Sequence, residues 1–167
     1  DYDVELLLRM GQAAHQLQRH WLTFTLYQAL IERYPDSEVA DRAHYASFTV
    51  LLDEAEWLLA KQEGYAYFHE RPEGLFWDDI ALNLLQLHMQ EEQWEAALTL
   101  GLDVREERLD YRYADQLGYL LGYIYFKQFD FTSALNHFSE VLDRYPTSSI
   151  RETVSFWQGL THLYLTQ

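Results

Sequence analysis

The sequence predicts an all-α fold in which antiparallel helix pairs stack into a right-handed superhelix, an α-solenoid. The first sign is an internal echo. Tyr34-Pro35-Asp36-Ser37 returns as Tyr145-Pro146-Thr147-Ser148, and Gly11 returns as Gly122, both 111 residues on. Because 111 is three steps of 37, the intermediate stations can be read as well. Pro35 leads to Pro72, Leu109 and Pro146, Gly11 to Phe48, Leu85, Gly122 and Gly159, and Thr23 to Ala60, Ala97 and Ala134. Three ladders in phase mark a repeat whose units bury their apolar faces only against their neighbours. The second sign is the apolar spacing inside each unit, which follows the helical period rather than the alternation of a strand. The third is the punctuation between units, where Pro and polar clusters stop one helix and open the next.

The units run from about 4 to 35, 38 to 72, 78 to 109 and 115 to 146, with a half unit from 149 to 166. The first stops before Pro35. In the second, the segment from Gly64 to Gly74 reads as a short helix ending in an irregular loop rich in aromatic residues: Tyr65, Tyr67 and Phe68, followed by Phe76 and Trp77. Two readings of these rings stand: a partner-binding patch, or a plug for the gap left by a divergent repeat. Asp78 and Asp79 open the third unit, where carboxylates suit the free amides and dipole of a helix start. In the fourth, Leu117 to Phe126 is apolar around nearly its whole circumference, as expected of a helix buried on most sides. A break at Lys127–Asp130 follows, with Asp130 or Thr132 available as the next cap. Ala134, Leu135, Phe138, Val141 and Leu142 then form a helical stripe that ends before Pro146. Gly122 and Ala134 are expected to face each other where the two axes approach closely. Ser149 and Glu152 read as a capping box for a last helix reaching about Leu165.

The fourth unit resembles a tetratricopeptide repeat: Leu121-Gly122 and Tyr125 on its first helix, and Ala134, Phe138 and Pro146 on its second, stand at the family's signature positions. The first unit keeps Gly11, Tyr27 and Pro35, with Thr23 where Ala is usual. The third keeps Leu84, Leu85, Trp94 and Ala97, then departs at Gly101 and Leu109. The second keeps Ala60 and Pro72. The resemblance covers about four and a half repeats, and it implies a non-enzymatic scaffold whose first helices line a concave groove. The 37-residue step and the Tyr-Pro-x-Ser ends are further similar to the longer repeats of bacterial envelope proteins, such as the Tol-Pal-associated cell-division coordinator and outer-membrane assembly lipoproteins. That likeness implies a periplasmic or envelope location.

Composition narrows the partner. The 167 residues are 49% hydrophobic and 16% aromatic, enough for a substantial core despite a formal charge of −15. Lysine is confined to Lys61 and Lys127, and ten arginines supply the remaining positive charge. So acidic a chain repels phosphate backbones and anionic lipids, which argues against nucleic acid and against membrane surfaces. No apolar run approaches the length of a membrane span. With no cysteine, disulfides, thiolate metal sites and cysteine nucleophiles are out. The first residue is Asp1, not Met, so the sequence reads as a processed product or a piece of a longer chain.

Acid–base and metal chemistry find little support. His15 and His20 are five apart, off a common helical face. His88 and His162 fall on the station of Tyr125, where a packing role is expected, and His69-Glu70 lacks the second His of a zinc motif. No nucleophile motif, phosphate loop or dinucleotide fingerprint occurs, so no enzyme, cofactor or metal is implied.

Function is therefore expected in the groove. The register that the resemblance supplies puts Tyr45, Gln86, Tyr119, Tyr123, Phe126, Phe156 and Tyr164 on the first helices' solvent side, giving an uncharged Tyr- and Gln-rich trough. Leu8 and Gln12 occupy the positions where the family's chaperone-binding members carry a Lys and an Asn of their carboxylate clamp, so that clamp is absent. A protein or peptide segment with apolar anchors suits such a trough. The five C-terminal rings carry a second reading, as packing of the fourth unit on the fifth. A spacer or oligomerisation module of a larger protein is the alternative function. The last helix is apolar around more than half its circumference, which implies either chain beyond Gln167 or self-association.

Overall fold

The computed structural model describes residues 2–166, which form helices α1 (Tyr2–Gln16), α2 (His20–Arg33), α3 (Glu38–Asp53), α4 (Trp57–Glu70), α5 (Trp77–Gln90), α6 (Trp94–Glu107), α7 (Ala114–Lys127), α8 (Phe131–Arg144) and α9 (Arg151–Leu165). Among these residues there is no strand. Packing divides the chain into two compact units, Asp1–Ile80 and Ala81–Gln167, with the division inside α5.

One device closes every helix pair. At the end of α1 the amide of Arg19 donates to the carbonyl of Ala14 and that of Gln18 to His15, the paired bonds of a Schellman motif. The same two bonds recur as Glu56 to Leu51 and Ala55 to Leu52, Gln93 to His88 and Glu92 to Met89, and Asp130 to Tyr125 and Phe129 to Phe126. The motif requires a left-handed residue, and Gln18, Ala55, Glu92 and Phe129 have φ of 55°, 57°, 57° and 64°. These four are spaced by 37, and none is the glycine that the conformation favours. Second helices end differently: α2, α4 and α8 stop two residues before Pro35, Pro72 and Pro146.

In the first unit α1 packs on α2, α2 on α3 and α3 on α4, and α1 also meets α3. Tyr27, Leu30 and Ile31 of α2 bury against Ala40 and Ala43 of α3, with Leu7 and Leu8 alongside. Gly11 permits this approach, because a Cβ there would stand 2.5 Å from Cε1 of Tyr27. Ser37 caps α3 by accepting from the Ala40 amide at 3.1 Å.

The aromatic segment is not a loop after a short helix. α4 continues to Glu70, so Gly64, Tyr65, Tyr67 and Phe68 are helical, and the irregular stretch is residues 71–76. A buried polar network explains the difference. The Tyr67 hydroxyl donates to Asp41 at 2.6 Å and accepts from the Phe76 amide at 3.0 Å. The second Asp41 oxygen accepts from the Leu75 amide at 2.8 Å. This pins the irregular stretch onto α3 and α4, and Gly74 lets it pass, since a Cβ there would strike the Tyr67 hydroxyl. Trp77 is buried and stacked on Phe68 at 4.5 Å, while Phe76 stacks on Tyr45 at 4.5 Å. Tyr67, Phe68, Phe76 and Trp77 thus fill space within their unit, as the plug reading expects, while Tyr65 is 41% exposed.

In the second unit α6 packs on α7, α7 on α8 and α8 on α9, and α7 also meets α9. Ala134, Phe138, Val141 and Val154 form its buried cluster, flanked by Tyr119, Tyr125, Phe126 and Trp157. Asp130, not Thr132, caps α8 by accepting from the Ser133 amide at 3.0 Å. Two expectations are corrected here. Gly122 faces the Phe138 ring rather than Ala134: a Cβ on Gly122 would meet Phe138 Cε1 at 2.5 Å and Cδ1 at 2.7 Å. Ser149 does not cap α9, whose N-cap is Ile150 with no side-chain bond. Ser148 takes the nearby role, accepting from the Ile150 amide at 3.3 Å while donating its hydroxyl to Asp115.

Candidate protein-binding face

In the second unit α7 and α9 bring five of the sequence-predicted residues together. Tyr119, Tyr123 and Phe126 stand on α7, three and four residues apart and hence on one side of the helix. Tyr164 reaches them from α9, with ring centroids 5.5 Å from Phe126. Trp157, which sequence reasoning missed, is the hub. Its indole meets Tyr123 edge-on at 4.8 Å and Phe126 at 5.2 Å, and its N–H serves the Tyr119 hydroxyl. Phe131 of α8 adds a ring stacked on Tyr164 at 5.1 Å, and Trp94 of α6 lies 6.3 Å from Tyr123. Burial raises the Tyr119 hydroxyl above its ordinary pKa, and Tyr123 beside it acts in the same sense.

Each such ring pair is worth about 0.5–1.5 kcal/mol beyond its buried area, so the cluster is first of all an adhesive between repeats. It is not sealed. Tyr164 is 49% exposed and Phe156, which touches Trp157 at 5.7 Å, is 63% exposed. An open recess of about 680 Å³ adjoins the cluster at Trp94, lined also by Lys127, Gln128 and Phe129. Lys127 sits 5.3 Å above the Trp94 ring, and Phe129 is 80% exposed at the recess edge. The signal for Trp157 was its spacing of seven from Tyr164, two turns along one helix.

The remaining predicted residues stand apart from this cluster. Gln86 is exposed on α5. Tyr45 belongs to the first unit, its ring flat against Phe76. Of the two histidines expected to pack, His88 does so and His162 does not. His88 is buried with its Nδ1 2.7 Å from Gln93, His20 lies 3.6 Å from Glu54, and His15, His69 and His162 are exposed. His44 of α3 is buried 2.9 Å from Glu63 and 3.4 Å from Glu70. Among the described residues no three His, Cys, Asp or Glu side chains are grouped to hold a metal ion, and no helix is long and apolar enough to cross a membrane.

This architecture is that of a helical repeat protein, and comparison gives the repeat its family. Residues 5–37 and 116–148 match the tetratricopeptide repeat. Those two segments carry the repeat's signature, and the chain as a whole has an all-α, solenoid-type fold. A tetratricopeptide repeat protein from Parabacteroides merdae superposes with a TM-score of 0.79 at 12% identity, over 97% of this chain and 61% of that one. MamA RS-1, as a double mutant, superposes with a TM-score of 0.75 at 12% identity, over 100% and 87% of the two chains. YrrB, a TPR protein with an unusual peptide-binding site, superposes with a TM-score of 0.68 at 14% identity, over 96% and 76%. The chain thus spans about three fifths of the first of these structures. No curated protein sequence matches it.

Proposed function

We propose that this chain is a non-enzymatic scaffold that holds a protein or peptide segment against the aromatic face of α7 and α9, in the assembly of a bacterial envelope. Tyr119, Tyr123, Phe126 and Trp157 form the floor, and Tyr164 and Phe156 are the anchors presented to the ligand. The observation that carries the reading is the partial exposure of Tyr164 and Phe156 at the open edge of an otherwise packed ring cluster. Rigid aromatic side chains offer large contact area at small entropic cost and are enriched among binding hot spots. The peptide-binding site of YrrB, a protein of the same fold, supports the ligand class. The Tyr-Pro-x-Ser helix ends support the envelope setting.

The test compares proteins co-purified from native envelope extracts by the wild type and by Tyr164→Ala/Phe156→Ala. The expected result is loss of a specific partner, with affinity falling by about 1–3 kcal/mol per ring, while the variant stays folded by circular dichroism with a lowered melting temperature from the lost ring pairs. Retention of every partner by the variant would overturn the assignment of this face.

A further inference from the structure

The third repeat departs from the common pattern at one place. On the 37-residue step Arg105 of α6 falls at the station of Ile31, Phe68 and Leu142 in α2, α4 and α8. Leu109 stands where the other three repeats have Pro35, Pro72 and Pro146, and Tyr111 where they have Ser37, Gly74 and Ser148. All three line a single cavity of about 280 Å³ between α6, the 108–113 connection, α7 and α8. Leu117, Val141 and the buried Tyr111 give it an apolar wall, and Leu109 stands at its rim, 92% exposed. Its charged residues are Arg105, Arg108, Arg144 and Glu140. A chain with 27 acidic and 12 basic residues thus gathers three guanidiniums and one carboxylate here. Glu140 accepts from Arg105 at 2.8 Å and 2.9 Å and from Arg144 at 2.8 Å, yet both arginines stay exposed. Beside them His137 lies 3.2 Å from Arg105. Burial, and then that guanidinium, hold its imidazole below the ordinary pKa, against the opposite pull of Glu140.

We propose that this cavity is a docking site for a short acidic peptide segment of a partner protein, separate from the aromatic face of α7 and α9. A carboxylate side chain of the segment pairs with Arg105 and Arg144. A neighbouring aliphatic side chain enters the cavity against Leu117 and Val141, and Leu109 closes over it. Arg105 in place of an aliphatic residue forgoes packing, and Leu109 in place of a helix-stopping proline exposes apolar surface. Neither change serves the fold, and one ligand that joins a carboxylate to an aliphatic group accounts for both. Guanidinium groups bind carboxylates strongly, and Glu140, held by two of them, is the internal example. The cavity is near the lower end of the roughly 300–1,000 Å³ of ligand pockets, so it takes one side chain and not a folded element. A net charge of −15 repels extended polyanions, which leaves an isolated carboxylate as the anion that this local concentration of arginine attracts. The walls are complete within residues 105–145, so the opening belongs to the repeat itself.

The probe is a blocked peptide, acetyl-Gly-Glu-Leu-Glu-Gly-amide, titrated into the isotope-labelled full chain and followed by amide chemical shifts. Saturable binding is expected, with the largest shifts at 105–117 and 140–145 and with affinity falling in high salt. The same peptide with Gln for Glu should bind at least about tenfold more weakly. Arg105→Leu restores the residue type of Leu142, so it should abolish binding without lowering the melting temperature. Glu140→Gln removes the internal carboxylate that competes for both guanidiniums, and should tighten binding by about two- to fivefold. Tyr164→Ala, on the aromatic face, should leave peptide binding within about twofold, so that loss of one surface is told apart from loss of the other. Absence of saturable binding, equal binding of the Gln peptide, or binding indifferent to Arg105→Leu overturns the proposal. Saturable binding of inorganic phosphate with none of the peptide would likewise overturn it, in favour of a small-anion site.

Discussion

Gly122 and Gly159 occupy the same station of the repeat, one with a partner and one without, and alanine at each separates packing from helix propensity. In an exposed helix interior Ala is better than Gly by about 0.8–1.0 kcal/mol. Gly159→Ala adds a methyl group into open space, so the whole gain is retained, and stability should rise by about 0.5–1 kcal/mol. Gly122→Ala carries the same propensity gain but drives its Cβ to 2.5 Å, 2.7 Å and 3.1 Å from three atoms of the Phe138 ring. That ring is fully buried among Ala134, Val141 and Val154 and cannot turn aside, so an overpacking cost of about 1–3 kcal/mol applies. The net effect is a loss of up to about 2 kcal/mol. The difference between the variants isolates the packing cost, because the propensity contribution cancels. Thermal melts followed by circular dichroism should place Gly122→Ala below Gly159→Ala by about 3–10 °C for a chain of this size. Adding Phe138→Leu should recover most of the gap, as expected of two residues in contact. Equal shifts for the two glycines would refute the register on which the fold account depends.

Four further outcomes follow from the structure. Tyr67→Phe removes the donor to buried Asp41 and the acceptor of the Phe76 amide, and should cost about 1–3 kcal/mol in urea unfolding. Tyr27, Tyr67 and Tyr119 all have raised pKa values, chiefly from burial, with the Asp41 hydrogen bond adding to the effect at Tyr67. Their contribution is complete below the ordinary tyrosine value of 10.0 and is lost as pH rises through the raised folded values, so unfolding free energy should decline from about pH 10 upward, less steeply in Tyr67→Phe. Phe129→Gly relieves a left-handed phenylalanine that is 80% exposed, and should raise stability by about 1 kcal/mol in the same melts. Glu140→Gln breaks the bidentate contact with Arg105 at 2.8 Å and 2.9 Å and the bond to Arg144, but these groups are partly solvated; the loss should stay under about 1 kcal/mol and shrink in high salt.

The 37-residue ladders and the proline stops made the helix pairs legible, because each rests on short-range chemistry written at the position where it acts. The ladder of small residues hid a swap. In the first and fourth repeats glycine stands on the first helix and an aromatic sixteen residues later on the second, as Gly11 with Tyr27 and Gly122 with Phe138. In the middle repeats the order inverts, as Phe48 with Gly64 and Leu85 with Gly101, so the large residue stands on the first helix there. At Gly122 the space is likewise taken by the large residue, Phe138. The Schellman turns escaped notice because Gln18, Ala55, Glu92 and Phe129 carry no left-handed signature. The packing of residues 71–76 depends on Tyr67 finding Asp41, 26 residues away, a pairing that no local pattern announces. In the candidate face, groove and packing positions differ by one step around the helix. Tyr119, Tyr123 and Phe126 serve mainly as packing, and the exposed edge falls to Tyr164 and Phe156.

The central claim, that a protein segment is held on the aromatic face of α7 and α9, is tested most directly by site-specific photo-crosslinking in the native cell. A photoreactive phenylalanine analogue is placed at Tyr164, and at Leu22 and Leu58 as exposed apolar controls of the first unit. A discrete crosslinked partner at position 164, absent from both controls and lost when Phe156 is also changed to Ala, is the predicted result. Crosslinks of equal yield at all three positions, or none at 164, would contradict it.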